Sequence, residues 1–230
     1  MQLVIYYSIF AHILGDFYFQ NKELIKKKHE SVKYQALHTI IHLLCLLPLL
    51  FYQFSIRMIA YILIISTLHF MVDVFKYGIK FDKKYDLMAF LLDQGLHIVL
   101  ILIFSNIMVQ PTSYAFSRLY RLLFLLLPVL IMIRPVDVLI EIVFSVIHLK
   151  DSEDESSPSK WIGYIERILF SILIILNLES FVAVFIGVKT ASRWNEVQNN
   201  KLFGLQFYIG TFISVVAGLI TGLILKRYLI

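Results

Sequence analysis

Four pairs of residues in the first half of the sequence carry imidazole or carboxylate side chains at a spacing of four. They are His12 with Asp16, His38 with His42, His69 with Asp73, and Asp93 with His97. Residues four apart lie on one face of an α-helix, one turn from each other. Imidazole and carboxylate ligands suit Zn, Fe or Mn. The pattern therefore predicts a divalent-metal site, with Zn favoured over Fe or Mn.

The four pairs also fall at one depth if their helices cross a membrane. Counted inward from the cytoplasmic end of each apolar run at about 1.5 Å per residue, the pairs lie within about 6 to 15 Å. Ionisable groups at such depth cost about 2.5–3.5 kcal/mol each and normally face partners inside a bundle. We expect no comparable set of buried lysines or arginines, so a metal is the predicted neutralising partner. Eight ligands imply two ions, or one ion with some residues orienting the others.

Long apolar runs carry these residues. The chain is 59% hydrophobic and 16% charged, against about 25% charged in soluble domains. Runs of about 20 apolar residues match a hydrocarbon core, and without strict alternation they predict helices. The predicted fold class is all-α, a polytopic transmembrane helical bundle of about 7–8 spans. The predicted spans are residues 2–20, 34–52, 58–77, 87–108, 118–134, 161–177, 181–197 and 205–226.

A polar segment at 150–160, KDSEDESSPSK, divides the chain. We interpret it as a cytoplasmic linker between membrane helices at 1–149, which carry the His/Asp pairs, and C-terminal membrane helices at 161–230. Residues 135–149 are interpreted as an interfacial helix, or as the second half of a span kinked at Pro128 and Pro135. His29 and His148 lie at loop edges and are left out of the site.

Lysines in short loops predict the orientation, because cytoplasmic loops carry the excess of basic residues. Five lysines fall within residues 21–33 and four within 76–84, whereas the loop between the second and third spans carries Arg57. The N-terminus is therefore predicted outside, in a multi-pass protein of a bacterial inner (cytoplasmic) membrane. This bias accounts for the pI of 9.2, so no nucleic-acid partner is expected. His12 and Asp16 interrupt the first run, which argues against a cleaved signal peptide.

A second set of polar residues is predicted to bind substrate near the cytoplasmic ends of the spans. The set comprises Gln20, Lys76, Gln94, Glu166, Arg167, Lys189 and Arg193. The cations would hold an anionic headgroup or phosphate, with snorkelling interfacial charges as the alternative. The amides would orient metal ligands or substrate.

The sequence resembles the bacterial polytopic membrane proteins grouped as domain of unknown function 3307. The motifs that carry the resemblance are HILGDFYFQ at 12–20, HFMVDVFK at 69–76, LLDQGLH at 91–97, GYIERIL at 163–169, GVKTASRW at 187–194 and YIGTFIS at 208–214. The resemblance implies that the following residues belong to the family pattern: His12, Asp16, Gln20, His69, Asp73, Lys76, Asp93, Gln94, His97, Glu166, Arg167, Lys189 and Arg193. It supplies no established activity. The HxxxD pattern is also loosely similar to membrane-bound metal-dependent hydrolases, by motif alone.

These residues favour an intramembrane metal-dependent enzyme. We expect a hydrolase that acts on a lipid-linked or amphipathic anionic substrate from the cytoplasmic leaflet, with Asp16, Asp73 or Asp93 as the general base. Three alternatives stay open: a divalent-cation or proton-coupled transporter, a di-iron membrane oxidase or hydroxylase, and a non-catalytic membrane partner or regulator. Transport needs a polar path onward, and the outer halves of the first four spans are nearly all apolar. The oligomeric state is not predicted.

Overall fold

The computed structural model describes residues 1–79, 82–109, 117–147 and 158–229, and regular structure within these ranges is entirely helical. This confirms the all-α fold class. The helices are α1 (Gln2–Ile13), α2 (Lys22–Glu30), α3 (Val32–Leu46), α4 (Leu49–Tyr52), α5 (Ile56–Gly78), α6 (Asp86–Met108), α7 (Ser117–Val146), α8 (Pro158–Ile175), α9 (Ser180–Ser192), α10 (Trp194–Asn199) and α11 (Lys201–Leu229). A π-helical turn at Leu14–Tyr18 continues α1, and a 3-10 turn at Lys83–Tyr85 precedes α6.

Five helical segments in the described ranges are long and apolar enough to cross a membrane. They are Val32–Tyr52, Ile56–Gly78, Lys83–Met108, Arg118–Val146 and Lys201–Leu229. The chain therefore has the make-up of a helical membrane protein, with five candidate spans among the described residues; the predicted count of seven or eight is not confirmed.

The other three predicted spans differ from these five in length or charge. In the first of the three, residues 2–20, the helix ends at Tyr18. In the second, residues 161–177, helix α8 carries Lys160, Glu166 and Arg167 within its 18 residues. Helix α9 has 13 residues, which reach about 20 Å, less than a hydrocarbon core of about 30 Å. The seventh predicted span is also interrupted, because α9 ends at Ser192 and a separate helix follows.

The first compact unit comprises Met1–Leu127. In it α3 and α6 pack against α5, and α1 packs against α3 and α6. Buried residues recur on α5 at intervals of three or four: Met58, Tyr61, Ile62, Ile65, Ser66, His69 and Asp73. This stripe is the inward face of an amphipathic pattern. Its first half is apolar and joins a core cluster with Val4, Leu49 and Ile101, and its second half carries two predicted metal ligands.

Helix α7 runs without a break through Pro128 and Pro135. Residues 135–146 therefore continue the preceding helix, which agrees with the second of the two interpretations, that of a longer helix containing both prolines. A proline inside a helix removes one backbone hydrogen bond, which is tolerated in helices of membrane proteins. His148 and residues 150–157 of the predicted linker lie outside the described residues, while residues 158–160 already belong to α8.

The second compact unit comprises Pro128–Ile230 and is built mainly on the contact between α8 and α11. Two glycines of α11 permit this contact. A Cβ atom at Gly218 would lie 2.7 Å from Phe170 Cβ, and one at Gly222 would lie 2.7 Å from Ile174 Cβ. Small residues at these positions bring the two helix backbones together, as is common in membrane helices.

Candidate metal centre

All eight predicted metal ligands lie in one cluster inside the first unit. α1 and its π-helical turn supply His12 and Asp16, and the remaining pairs come from α3, α5 and α6. Seven of the eight side chains are buried, and Asp16 is 12% exposed. The paired ligands therefore lie on single stripes as predicted, and the packing of the helices turns all four stripes toward one another.

Asp16 lies at the centre of this cluster. Its Oδ1 atom is 2.8 Å from His42 Nε2 and 3.0 Å from His38 Nε2, both within hydrogen-bonding distance. His69 Nε2 lies 3.8 Å from the same oxygen, and His12 Nε2 lies 3.7 Å from Oδ2. Four imidazoles from α1, α3 and α5 thus surround one carboxylate.

Gly15 makes room for this arrangement. A Cβ atom at Gly15 would lie 2.4 Å from both Cε1 and Nε2 of His42, so any larger residue would displace the imidazole. Gly15 is buried in the π-helical turn at Leu14–Tyr18. Such turns occur frequently at functional sites, because the extra residue shifts the side chains that follow. The turn and the glycine together let Asp16 and His42 meet.

The imidazole rings also contact one another directly. The ring centroids of His42 and His69 are 3.8 Å apart, those of His69 and His97 are 4.3 Å apart, and those of His12 and His97 are 5.0 Å apart. His97 Nδ1 donates to the backbone oxygen of Asp93 at 2.8 Å, so the lone pair of this ring lies on Nε2. Within the described part of the chain, His97 Nε2 and His69 Nε2 are buried without a hydrogen-bond partner.

Three groups of donor atoms are each close enough to share one metal ion. The groups are His12, Asp16, His42 and His69; His38, His69 and Asp73; and Asp73, Asp93 and His97. Within each group the donor atoms lie within 4.8 Å of one another. The first group contains four donors, the number in a tetrahedral zinc site.

Two lysines pair with the carboxylates of the other two groups. Lys28 Nζ lies 2.7 Å from Asp73 Oδ2, and Lys76 Nζ lies 2.6 Å from Asp93 Oδ2. The sequence predicts no set of buried cations comparable to the His/Asp layer, and Lys28, only 2% exposed, is a buried cation that this expectation missed. Lys28 was assigned to a loop, whereas it lies on α2, which returns toward α3 and α5.

The amphipathic pattern of α2 was the signal that could have revealed Lys28. Leu24 and Lys28 are four residues apart and both are buried. Asn21 caps the helix by accepting a hydrogen bond from the Leu24 backbone nitrogen at 2.8 Å. Gln35 Nε2 then donates to the Lys28 backbone oxygen at 3.0 Å, which holds α2 against α3.

Gln94 links the two ends of the cluster. Its amide nitrogen donates to Asp16 Oδ2 at 3.0 Å and to Asp93 Oδ2 at 3.2 Å, and its Oε1 lies 3.2 Å from His12 Nε2. Gln94 therefore contacts the predicted ligands themselves. Gln20, just beyond the π-helical turn, is partly buried.

A small cavity of about 20 Å³ lies beside the rings. His12, His42, His69 and His97 line it, together with Ser8 and Ser66. This volume holds about one water molecule. The Ser66 hydroxyl is buried without a hydrogen-bond partner among the described residues. The cavity thus offers one small ligand a place next to the side chains of His69 and His97.

The remaining predicted substrate-binding residues lie in the second unit, where each has close contacts. Lys189 Nζ is 2.7 Å from Glu166 Oε2 and donates to Thr211 Oγ1 at 3.0 Å. Arg193 Nη1 is 2.7 Å from Glu196 Oε2 at the surface. Arg167 is 1% exposed and donates to Ser214 Oγ at 3.3 Å. Their role in substrate binding stays a prediction.

Taken together, the fold and the site define a helical membrane protein with a buried cluster of histidine, aspartate and lysine side chains. Residues 4–126 match the family described as "Protein of unknown function (DUF3307)", more than half of the sequence, and the chain belongs to that family. This confirms the resemblance over the part that carries all eight predicted ligands. The motifs at 163–214 lie beyond the matched range. No curated protein and no solved structure matches the chain.

Proposed function

We propose that this protein is an intramembrane metal-dependent enzyme, a hydrolase acting on a lipid-linked or amphipathic anionic substrate. The observation that carries the proposal is the convergence of His12, Asp16, His42 and His69, whose donor atoms lie within 4.8 Å of one another. Nitrogen and oxygen donors in this number suit Zn, with Fe or Mn as the other candidates. We call these four residues the primary site.

Unpaired buried atoms favour a metal over a simple hydrogen-bond network. Among the described residues, His69 Nε2, His97 Nε2 and Asp93 Oδ1 are buried without a hydrogen-bond partner. Each such group costs about 1–3 kcal/mol. A cation next to the two imidazole nitrogens would offset that cost, because neutral imidazole binds metals through its lone pair.

The chemistry follows from what a bound divalent ion supplies. Such an ion polarises a carbonyl or phosphoryl oxygen and makes bound water a nucleophile at neutral pH. Asp16, Asp73 and Asp93 are the candidates for the general base. The cavity beside His69 and His97 has room for one water-sized ligand. These features support hydrolysis, and the reaction itself is our proposal.

The substrate is expected to approach from the side of Lys76, whose side chain is 31% exposed. The lysine-rich segments at 21–33 and 76–84 support a cytoplasmic approach in a bacterial inner membrane with the N-terminus outside. In the second unit, Lys189 and Arg193 already pair with Glu166 and Glu196. An anionic headgroup at these cations would therefore compete with carboxylates of the protein.

A transporter is the second candidate, and the packing beyond the cavity argues against it. Tyr61 OH lies 2.8 Å from Ser8 Oγ and 2.8 Å from Ser105 Oγ, so these hydroxyls satisfy one another. Val4 and Ile62, both almost fully buried, pack in the apolar cluster that contains Tyr61. An ion leaving the primary site in this direction would meet the hydroxyls of Ser8, Tyr61 and Ser105, which already bond to one another, and then the apolar side chains of that cluster.

The other two alternatives gain less support. A di-iron oxidase needs carboxylates free to bridge two metals, and Asp73 and Asp93 are paired with lysines. A non-catalytic partner or regulator has no need for unpaired buried imidazoles, which cost stability. An enzyme or transporter that binds metal has such a need.

Metal analysis of the purified protein tests the proposal. We expect near-stoichiometric Zn, Fe or Mn by elemental mass spectrometry in the wild type, and loss of that metal in His69→Ala. Cys45→Ala serves as the control, because Cys45 lies outside the primary site. A lipid-extract screen for chelator-sensitive hydrolysis then identifies the substrate. Folded wild-type protein that binds none of these metals would refute the proposal.

A further inference from the structure

We infer that Lys28 and Lys76 take the place of a second metal, so that the centre holds one divalent cation and two ammonium groups. The inference rests on the proposed metal centre and specifies its stoichiometry. Lys28 Nζ lies 2.7 Å from Asp73 Oδ2, and Lys76 Nζ lies 2.6 Å from Asp93 Oδ2. Both distances are those of direct ion pairs.

Each lysine contacts one oxygen of a carboxylate on which a second ion would depend. Both of the other donor groups include Asp73, and one of them also includes Asp93. A metal bound to either oxygen of these carboxylates would lie close to an ammonium group, because metal–oxygen distances are about 2.0–2.2 Å. Two cations would then be held within a few ångströms of each other at low dielectric, where repulsion is strong.

The primary site differs from these two groups in this respect. Among the ion pairs of the described residues, Asp16 has only histidine partners, which are His12, His38, His42 and His69. Imidazoles can be neutral and then present lone pairs to a metal, whereas a lysine ammonium has no lone pair. The first metal is therefore expected at Asp16.

The charge of the cluster points to the same stoichiometry. Three carboxylates and two ammonium groups leave one negative charge when the histidines are neutral. One divalent ion changes this to one positive charge, which suits an anionic substrate group. A second divalent ion would raise it to three positive charges, at a depth where uncompensated charge is expensive.

Lys28 is held in place for this role. Its side chain is 3% exposed, and its Nζ lies 5.2 Å from the centroid of the Tyr77 ring, a cation–π distance. The same ring is 5.7 Å from Lys76 Nζ. Tyr77 thus contacts both ammonium groups, and Lys76 is the one nearer to the surface, at 31% exposure.

Metal stoichiometry of full-length protein in detergent or nanodiscs, measured with Zn²⁺ and with Mn²⁺, tests the inference. We expect one equivalent per chain in the wild type. Lys28→Met should take up a second equivalent that binds more weakly than the first. Lys76→Met should still bind one, because Lys28 remains paired with Asp73, which both other donor groups share. Lys27→Met is the matched control, because Lys27 pairs with Glu23 outside the cluster, and it should bind one equivalent. With Mn²⁺, Lys28→Met should gain the spin–spin coupled resonance signal of a metal pair.

Lys28→Gln keeps the test decisive if Lys28→Met does not fold, because it removes the ammonium charge but leaves a polar side chain beside Asp73. Two equivalents in the wild type would overturn this inference while leaving the proposed metal centre intact. One equivalent in folded Lys28→Met or folded Lys28→Gln would overturn it as well. A wild type without metal would overturn the proposed function and this inference with it.

Discussion

The Lys28 ammonium and the Asp73 carboxylate lie 2.7 Å apart, and both side chains are almost completely buried. The pair joins α2 to α5, so it connects a short polar helix to the stripe that carries His69. Removing one member of a buried pair leaves the other charge without compensation, whereas removing both does not. Comparing variants that lack one member of the pair with a variant that lacks both therefore separates the effect on stability from the effect on metal binding.

Lys28→Met should lower the free energy of unfolding by about 3–5 kcal/mol, because Asp73 is left buried and unpaired. The double variant Lys28→Met/Asp73→Asn should recover most of this loss. Denaturation of purified protein in detergent, without added metal, measures both effects. Lys27→Met should unfold like the wild type. Equal destabilisation of the single and double variants would contradict the expected role of the pair.

Gly15→Ala should displace the His42 ring, since the added Cβ atom would lie 2.4 Å from two of its atoms. We expect metal affinity to fall by about 10–100-fold, as for other changes that misorient ligands. Gly95→Ala is the matched control, because a Cβ atom there has no neighbour within 4 Å. A competition titration with a chromophoric chelator measures the affinities. Unchanged affinity in Gly15→Ala would mean that His42 does not bind the metal.

Gln94→Leu should weaken metal binding by about 10–100-fold while leaving the stoichiometry unchanged. The amide contacts His12, Asp16 and Asp93, so its loss frees three side chains to move. Asn106→Leu on the same helix is the control, because Asn106 is exposed and bonds only a backbone oxygen in the described structure. The same chelator titration applies. If Gln94→Leu changes stoichiometry, Gln94 is more than a positioning residue.

Lys189→Ala and Arg193→Ala should both leave metal content unchanged and weaken binding of an anionic substrate. Their stabilities should differ, because Glu166 is 4% exposed beside Lys189 and Glu196 is 54% exposed beside Arg193. Lys189→Ala should therefore destabilise the protein, and Arg193→Ala should not. Thermal unfolding and metal analysis are the measurements. If both variants lose metal, the role of Lys189 and Arg193 is not confined to substrate binding.

Lys27→Cys in a Cys45→Ala background should be inaccessible to a membrane-impermeant thiol reagent in intact cells. It should react once the membrane is permeabilised, because the lysine-rich segment at 21–33 is proposed to be cytoplasmic. Gln53→Cys lies in the loop proposed to be external. It should already react with the reagent in intact cells. Labelling of Lys27→Cys in intact cells would invert the proposed orientation and move the substrate to the other leaflet.

Hydropathy and residue spacing were sufficient to predict the helical membrane fold and the positions of the ligand pairs on their helices. Both depend on local periodicity, since apolar length sets a candidate span and a spacing of four sets a common face. His69 and Asp73 could be assigned to one stripe of α5 for this reason. The number of spans could not be predicted as well, because hydropathy does not show where a helix ends, as α9 does at Ser192.

Only the tertiary structure decided which groups meet across helices. The pattern of α2 could have indicated that Lys28 is buried, but its partner Asp73 depends on how α2 folds back onto the bundle. Gly15 carries no chemistry of its own, yet the His42 ring lies where its side chain would be. Such contacts join residues 27 to 45 positions apart in the chain. They depend on how helices pack, and the periodicity of a single helix contains no information about its neighbours.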